Sequence, residues 1–366
     1  MIRSKFKSVF ISIIALVLTV LLVLFLFYIK PSEGREIFNT DFYLAVIETT
    51  EQANKSNITF YNKDLIAVGT REIKLGSMGS SFDLPRIYGK NMYVIPKGIG
   101  NQKDLTVIME YDMETGKYET YDMKQPGMNS FSVDEKSIYS VNTLNNTSII
   151  SWHDKSSANV KTISKKDVYI GRLDLYDDTL YAFAMTKEKE GIKSNLYLID
   201  TKSFEITATL DISKSGTGQY FSIKIGDAVY FTNQNEISGM TERSSYNLSR
   251  LSIKDKTILN IRLKEEHPFQ IVNYKDKLII SHYDPVQIQG NKITLYDLET
   301  NEQQVVTLEN NLSQILIKDD KVYSTDGEYL YAYSINNTAF KLINKIDIYT
   351  KRNSSTFYYI SGFFTK

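Results

Sequence analysis

The residues equipped for chemistry are few and sit close together in the chain. His267 follows Glu265 and Glu266, and His282 is followed by Tyr283, Asp284 and Pro285. Two imidazoles and a carboxylate can ligate a metal ion or move a proton. They lie on separate segments, so convergence rests on the fold, and His267, His282 and Asp284 are read as ligand-binding residues without a metal. Glu236 and Arg243, charged members of the segment 232–246, complete the ligand-binding set. The third histidine, His153, stands between Trp152 and Asp154, where strand-edge packing accounts for the trio. The carboxylate pairs Asp177/Asp178 and Asp319/Asp320 fall in tight turns, where aspartate bonds its own backbone. They are read as turn formers, and no catalytic residue is assigned.

Composition narrows the chemistry further. With no Cys among 366 residues, thiol catalysis, disulfides, Cys-ligated zinc and iron–sulfur clusters are excluded together. Lys+Arg and Asp+Glu both number 43, which supplies no polyelectrolyte signal for nucleic acid. No calcium-loop, nucleophile-elbow or phosphate-loop pattern occurs, and no cofactor is expected.

The elements that must position these residues come from a repeat. A turn of Gly, Asp, Asn or Lys leads into an aliphatic-aromatic strand, as in Gly89-Lys90-Asn91-Met92-Tyr93 and Gly226-Asp227-Ala228-Val229-Tyr230. The Tyr or its equivalent falls at Tyr43, Tyr93, Tyr139, Tyr181, Tyr230, Ile279 and Tyr323, a period near 47. Apolar strands precede these units, among them Ser81–Leu84, Phe131–Val133 and Pro268–Val272, and second hairpins follow. Alternating β-branched and aromatic residues between turn residues are strand chemistry. Four strands per repeat, seven times, specify an all-β seven-bladed β-propeller. The recurrent tyrosines are read as packing between blades. The first copy lacks an innermost strand, and the aromatic tail Thr356–Phe364 is expected to supply it beside Phe42–Ile47.

Ahead of the propeller, Val9–Ile29 forms 21 uncharged positions. A helix of that length spans about 30 Å, the thickness of a bilayer's hydrocarbon core. Arg3, Lys5 and Lys7 precede it, so the positive-inside bias places residues 1–8 in the cytoplasm. The expected organisation is a cytoplasmic terminus (1–8), a single transmembrane signal anchor (9–29), a linker (30–36) and an extracytoplasmic propeller (37–366) at the cell membrane.

The turns Asp112-Met113-Glu114-Thr115-Gly116-Lys117, Asp200-Thr201-Lys202 and Asp297-Leu298-Glu299-Thr300-Asn301 resemble the Asp-x-x-Thr-Gly turns of tryptophan-docking β-propellers. That group includes quinoprotein dehydrogenases and an outer-membrane assembly scaffold lipoprotein. The tryptophan that should follow each turn is missing, since the single Trp is Trp152. The resemblance implies the fold and no quinone site.

In a propeller the loops joining second to third strands share a face with the connections between blades. The longest expected loops, 48–57, 96–104, 141–148, 186–195, 232–246 and 281–292, all belong to that face. The chain joins the propeller on the opposite one. These features point to a binding or scaffold module for a protein or an envelope polymer. The alternative is an envelope-glycan hydrolase or lyase with its site at the outward channel mouth.

Overall fold

A computed structural model describes residues 41–80, 82–98, 105–336, 339–352 and 354–366. Met1–Phe38 and Asn39–Lys366 separate as two units. The first, with the expected anchor Val9–Ile29, lies outside the described residues. Among the described residues no helix is long and apolar enough to cross a membrane.

Seven four-stranded antiparallel sheets make up the second unit, with one additional two-stranded hairpin. In chain order the innermost strands of blades two to seven are Arg86–Tyr88, Met128–Val133, Tyr169–Tyr176, Ser222–Ile225, Pro268–Tyr274 and Gln314–Lys318. Blade one takes its innermost strand from the other end of the chain. Tyr359–Phe364 runs antiparallel to Leu44–Thr49, pairing Ala45 with Phe364 and Thr49 with Tyr359. The expected closure is therefore present, with a bulge between Ile47 and Glu48. A short helix, Tyr349–Arg352, leads into the closing strand. The amides of Tyr349 and Thr350 donate to the buried Glu48 carboxylate at 3.2 and 2.7 Å.

The repeat reads directly onto the core. Tyr93, Tyr139, Tyr181, Tyr230 and Tyr323 all lie in second strands and are no more than 8% exposed. Tyr139 packs with Leu173 and Leu180 of the next blade, and Tyr323 with Tyr43 and Leu44 of blade one. Burying each large apolar side chain contributes roughly 1.5–3 kcal/mol, so packing explains the recurrence. Asp319 and Asp320 both adopt positive φ, 49° and 55°, the backbone of a two-residue hairpin turn.

Side chains also stitch the innermost strands to one another. Gln270 Nε2 donates to the Ile315 carbonyl (2.8 Å) while its Oε1 accepts the Ile315 amide (2.7 Å). Gln314 repeats the pattern with Phe363, at 2.9 and 3.1 Å. Each amide side chain thus does for a neighbouring blade what a backbone peptide does within a sheet.

Two expectations need correction. The segments 141–148, 186–195 and 281–292 are not long loops: the strands Ser137–Leu144 and Thr147–Asp154, and Thr179–Glu188 and Gly191–Asp200, extend through the first two to two-residue turns, and Lys277–Asp284 and Gln289–Asp297 leave four residues in the third. The Thr, Asn, Lys and Glu residues of the first two are polar because the strands project past the core into solvent. Ser81–Leu84 is not the innermost strand of blade two either. That strand begins at Arg86, because Pro85 has no amide to give a ladder, and residues 82–85 pack instead toward blades four to six.

Candidate functional site

A plug of residues 82–85 reaches from the start of blade two to the inner parts of blades four, five and six. The Phe82 carbonyl accepts Arg172 Nη1 at 3.5 Å, and its ring lies 5.0 Å from Tyr220. Leu84 packs among Phe221, Phe269 and Tyr283, from blades five and six. Gly362 admits Pro85, since a Cβ there would lie 2.6 Å from Pro85 Cδ. Beside this segment, inner-strand residues that include Arg86, Arg172, Gln270, Gln314 and Phe363 line a central cavity of about 400 Å3.

Beneath this plug sits a charge cluster that the sequence did not announce. Arg172 Nη2 approaches Asp174 at 2.8 Å, and Arg86 Nη1 at 3.0 Å. Asp83 lies 3.7 Å from both guanidinium groups and accepts Ser130 Oγ at 3.2 Å. Its Oδ2 is buried without a hydrogen-bond partner. Burial pushes the Asp83 carboxyl up to about 6, against the pull of Arg86 and Arg172. Two cations meet two carboxylates, so the cluster is internally balanced and holds the plug. The residues come from three blades and are separated by up to 91 positions, so no local spacing signals them.

The sequence-predicted residues do converge, on the same face. His267, His282 and Asp284 line one cleft of about 410 Å3, with Glu265, Glu266 and Lys292. His267 reaches it from the connection between blades five and six. His282 and Asp284 come from the second strand of blade six, Lys277–Asp284. Gly290 opens the cleft's wall: its φ is 138°, and a Cβ would lie 2.2 Å from the His282 carbonyl.

Their roles differ. His282 is buried, and its Nδ1 must donate to the Glu266 carbonyl (2.8 Å), which leaves Nε2 to accept the Thr294 hydroxyl (2.7 Å). Desolvation lowers its pKa to about 4. With both nitrogens engaged, His282 is a wall residue. His267 is more open. Gln234 Nε2 donates to the Pro268 and Tyr283 carbonyls at 3.0 and 3.1 Å, which fixes Gln234 Oε1 as an acceptor. His267 Nδ1 then donates to it at 3.3 Å, and Nε2 faces Asp284. Asp284 Oδ1 accepts the Val286 and Gln287 amides at 2.8 and 3.2 Å, and Oδ2 faces His267 Nε2 at 3.8 Å. Among the described residues, no cluster of three metal-ligating side chains occurs.

Glu236 and Arg243 are not brought to this cleft. They pair across the hairpin Asn235–Ser238/Thr241–Ser244, with Arg243 Nη2 donating to Glu236 Oε2 at 3.0 Å. Arg262 Nη1 also approaches Glu236 Oε1, at 3.5 Å. The hairpin leans on blade four: the Ile192 amide donates to the Gly239 carbonyl at 3.1 Å, and Gly191 has no room for a Cβ beneath it. The ion pair therefore braces the hairpin.

Similarity to known structures is one of fold. A putative 6-phosphogluconolactonase from Bacteroides uniformis is similar at a TM-score of 0.58 and 12% identity, over 84% of this chain and 96% of that one. Hsv2 from Kluyveromyces lactis is similar at 0.52 and 9%, over 83% and 99%. BamB from Moraxella catarrhalis gives 0.49 and 11%, over 84% and 86%. No family model matches the sequence, and no curated protein matches it.

Proposed function

We propose that this chain is a membrane-anchored, extracytoplasmic β-propeller that binds a protein or an envelope polymer through the face of its blade connections. The observation that carries the reading is the difference between the two faces. The connection face holds the inserted hairpin, the cleft, and the exposed side chains Met240, Val286 and Ile288. Two-residue turns occur on both faces, and the opposite face, with Gly89-Lys90, Asp177-Asp178, Asp319-Asp320 and five-residue turns after Asp112 and Asp297, carries no inserted hairpin among the described residues. Asp41 and Lys366 lie together on that opposite face, beside Lys318, whose Nζ donates to the Tyr43 and Lys366 carbonyls.

The apolar run Val9–Ile29 with its basic flank supports the anchor. The absence of native Cys makes a direct test available. In intact cells a membrane-impermeant maleimide should label Ile288→Cys, and should label Ser4→Cys only after lysis. Labelling of Ser4→Cys in intact cells, or recovery of the chain in the soluble fraction, overturns the placement.

A further inference from the structure

Resting on that reading, we propose that the blade-six cleft receives a basic side chain, Lys or Arg, of a partner polypeptide, while an adjoining apolar residue of the partner packs on Val286 and Ile288.

The cleft is short of hydrogen-bond donors at one spot. Asp284 Oδ2 receives no hydrogen bond there: the Val286 and Gln287 amides both go to Oδ1, and His267 Nε2 stands 3.8 Å away, beyond hydrogen-bond reach. An ammonium or guanidinium group carries several N–H donors and no acceptor, and meets that oxygen. Charge selects the same ligand. Glu265, Glu266 and Asp284 line the cleft with one lysine, Lys292, whose Nζ is held by Glu265 at 2.7 Å. Among the described residues no Lys or Arg pairs with Glu266 or Asp284, and His267 is the basic group within 4 Å of Asp284, so the lining is predominantly acidic. A carboxylate or phosphate group would meet this field, and is disfavoured.

The rim supplies the second half of the specificity. Val286 and Ile288 are 77% and 66% exposed, side by side on the turn that borders the cleft. Ile288 holds a φ of 55°, a conformation unfavourable for a β-branched residue. Asn311 fastens it there, with Oδ1 accepting the Gly290 amide at 3.1 Å and Nδ2 donating to the Ile288 carbonyl at 3.4 Å. An aliphatic pair standing in solvent beside an acidic cleft matches a cation next to an apolar residue, and such combinations anchor protein interfaces.

The test is photo-crosslinking of the full chain in the cells that make it. A benzophenone amino acid is placed at Val286, and separately at Met240 on the same face. The expected result is a crosslink from position 286 into a polypeptide carrying Lys or Arg within about two residues of the attachment point. Glu266→Lys should reduce that product at least tenfold while leaving the melting temperature unchanged. Converting the partner's basic residue to Glu should restore it in the Glu266→Lys background. An attachment point without a nearby basic residue, or a product indifferent to Glu266→Lys, overturns the proposal. A crosslink from position 240 with none from 286 overturns this site and spares the binding-module reading. Silence at both positions overturns both.

Discussion

Asp83 and His282 are buried ionisable groups that bias the fold in opposite directions with pH. Asp83 has its carboxyl raised from 3.8 to about 6, so the folded state binds its proton more tightly than the unfolded chain does. That contribution to stability is complete below about 3.8 and is lost as pH rises through 6. His282 is lowered from 6.5 to about 4, so its contribution is complete above 6.5 and is lost as pH falls through 4. At about 1.4 kcal/mol per pH unit, each is worth on the order of 3 kcal/mol, and between pH 4 and 6.5 they oppose one another. Glu48, also raised by burial, adds to the Asp83 side. Asp83→Asn should therefore make the protein lose stability, relative to wild type, as pH falls from 6.5 to 4. His282→Gln should make it gain. Melting temperatures across that range, with each variant compared to wild type at the same pH, decide the matter; parallel curves would refute the assignment.

Elements join through side-chain amides where the backbone has run out of partners. Gln314 satisfies both the amide and the carbonyl of Phe363, at the seam where the two chain ends meet. Gln314→Ala leaves two buried peptide groups unpaired, and should cost roughly 2–4 kcal/mol in urea unfolding at unchanged m-value. A cost below about 1 kcal/mol would show that water enters the seam. These stitches bear on what the sequence could reveal. Blade number, second-strand tyrosines, the turns from Asp112, Asp200 and Asp297, and the closing strand were all legible, because period and turn chemistry are local. The convergence of His267, His282 and Asp284 followed from one face being shared. Less legible were the long-range pairings. Ser81–Leu84 alternates like a strand in the sequence, yet Phe82–Leu84 form a plug, since their partners Arg172, Phe221 and Phe269 are more than 80 residues away. Glu236 and Arg243 looked like free loop charges because their hairpin register is invisible without its docking on Gly191.

At the scale of the whole molecule, the propeller is a strip of sheets whose ends meet once. Six of the seven blades are continuous in sequence, whereas blade one is shared by residues 44–73 and 359–364. Its seam carries the pairing of Leu44–Thr49 with Tyr359–Phe364, the Gln314 stitch, and the Glu48 cap on Tyr349 and Thr350. Opening it bares a strand edge on each side and frees the plug contact at Gly362, so unfolding should begin there rather than between interior blades. A covalent seam tests this without removing any strand. Thr49 and Tyr359 are directly paired at the end of the ladder, and Cys at both positions closes a loop of about 310 residues. Chain-entropy arguments put the gain near 6 kcal/mol, less the bonds that Thr49 Oγ1 makes with Ser56 and the Met78 amide. The oxidised Thr49→Cys/Tyr359→Cys variant should melt higher than its reduced form and unfold more slowly in denaturant. If oxidation raises the melting temperature but leaves the unfolding rate unchanged, the first opening lies elsewhere in the ring. If the thiols do not join, the two ends are not held as neighbours.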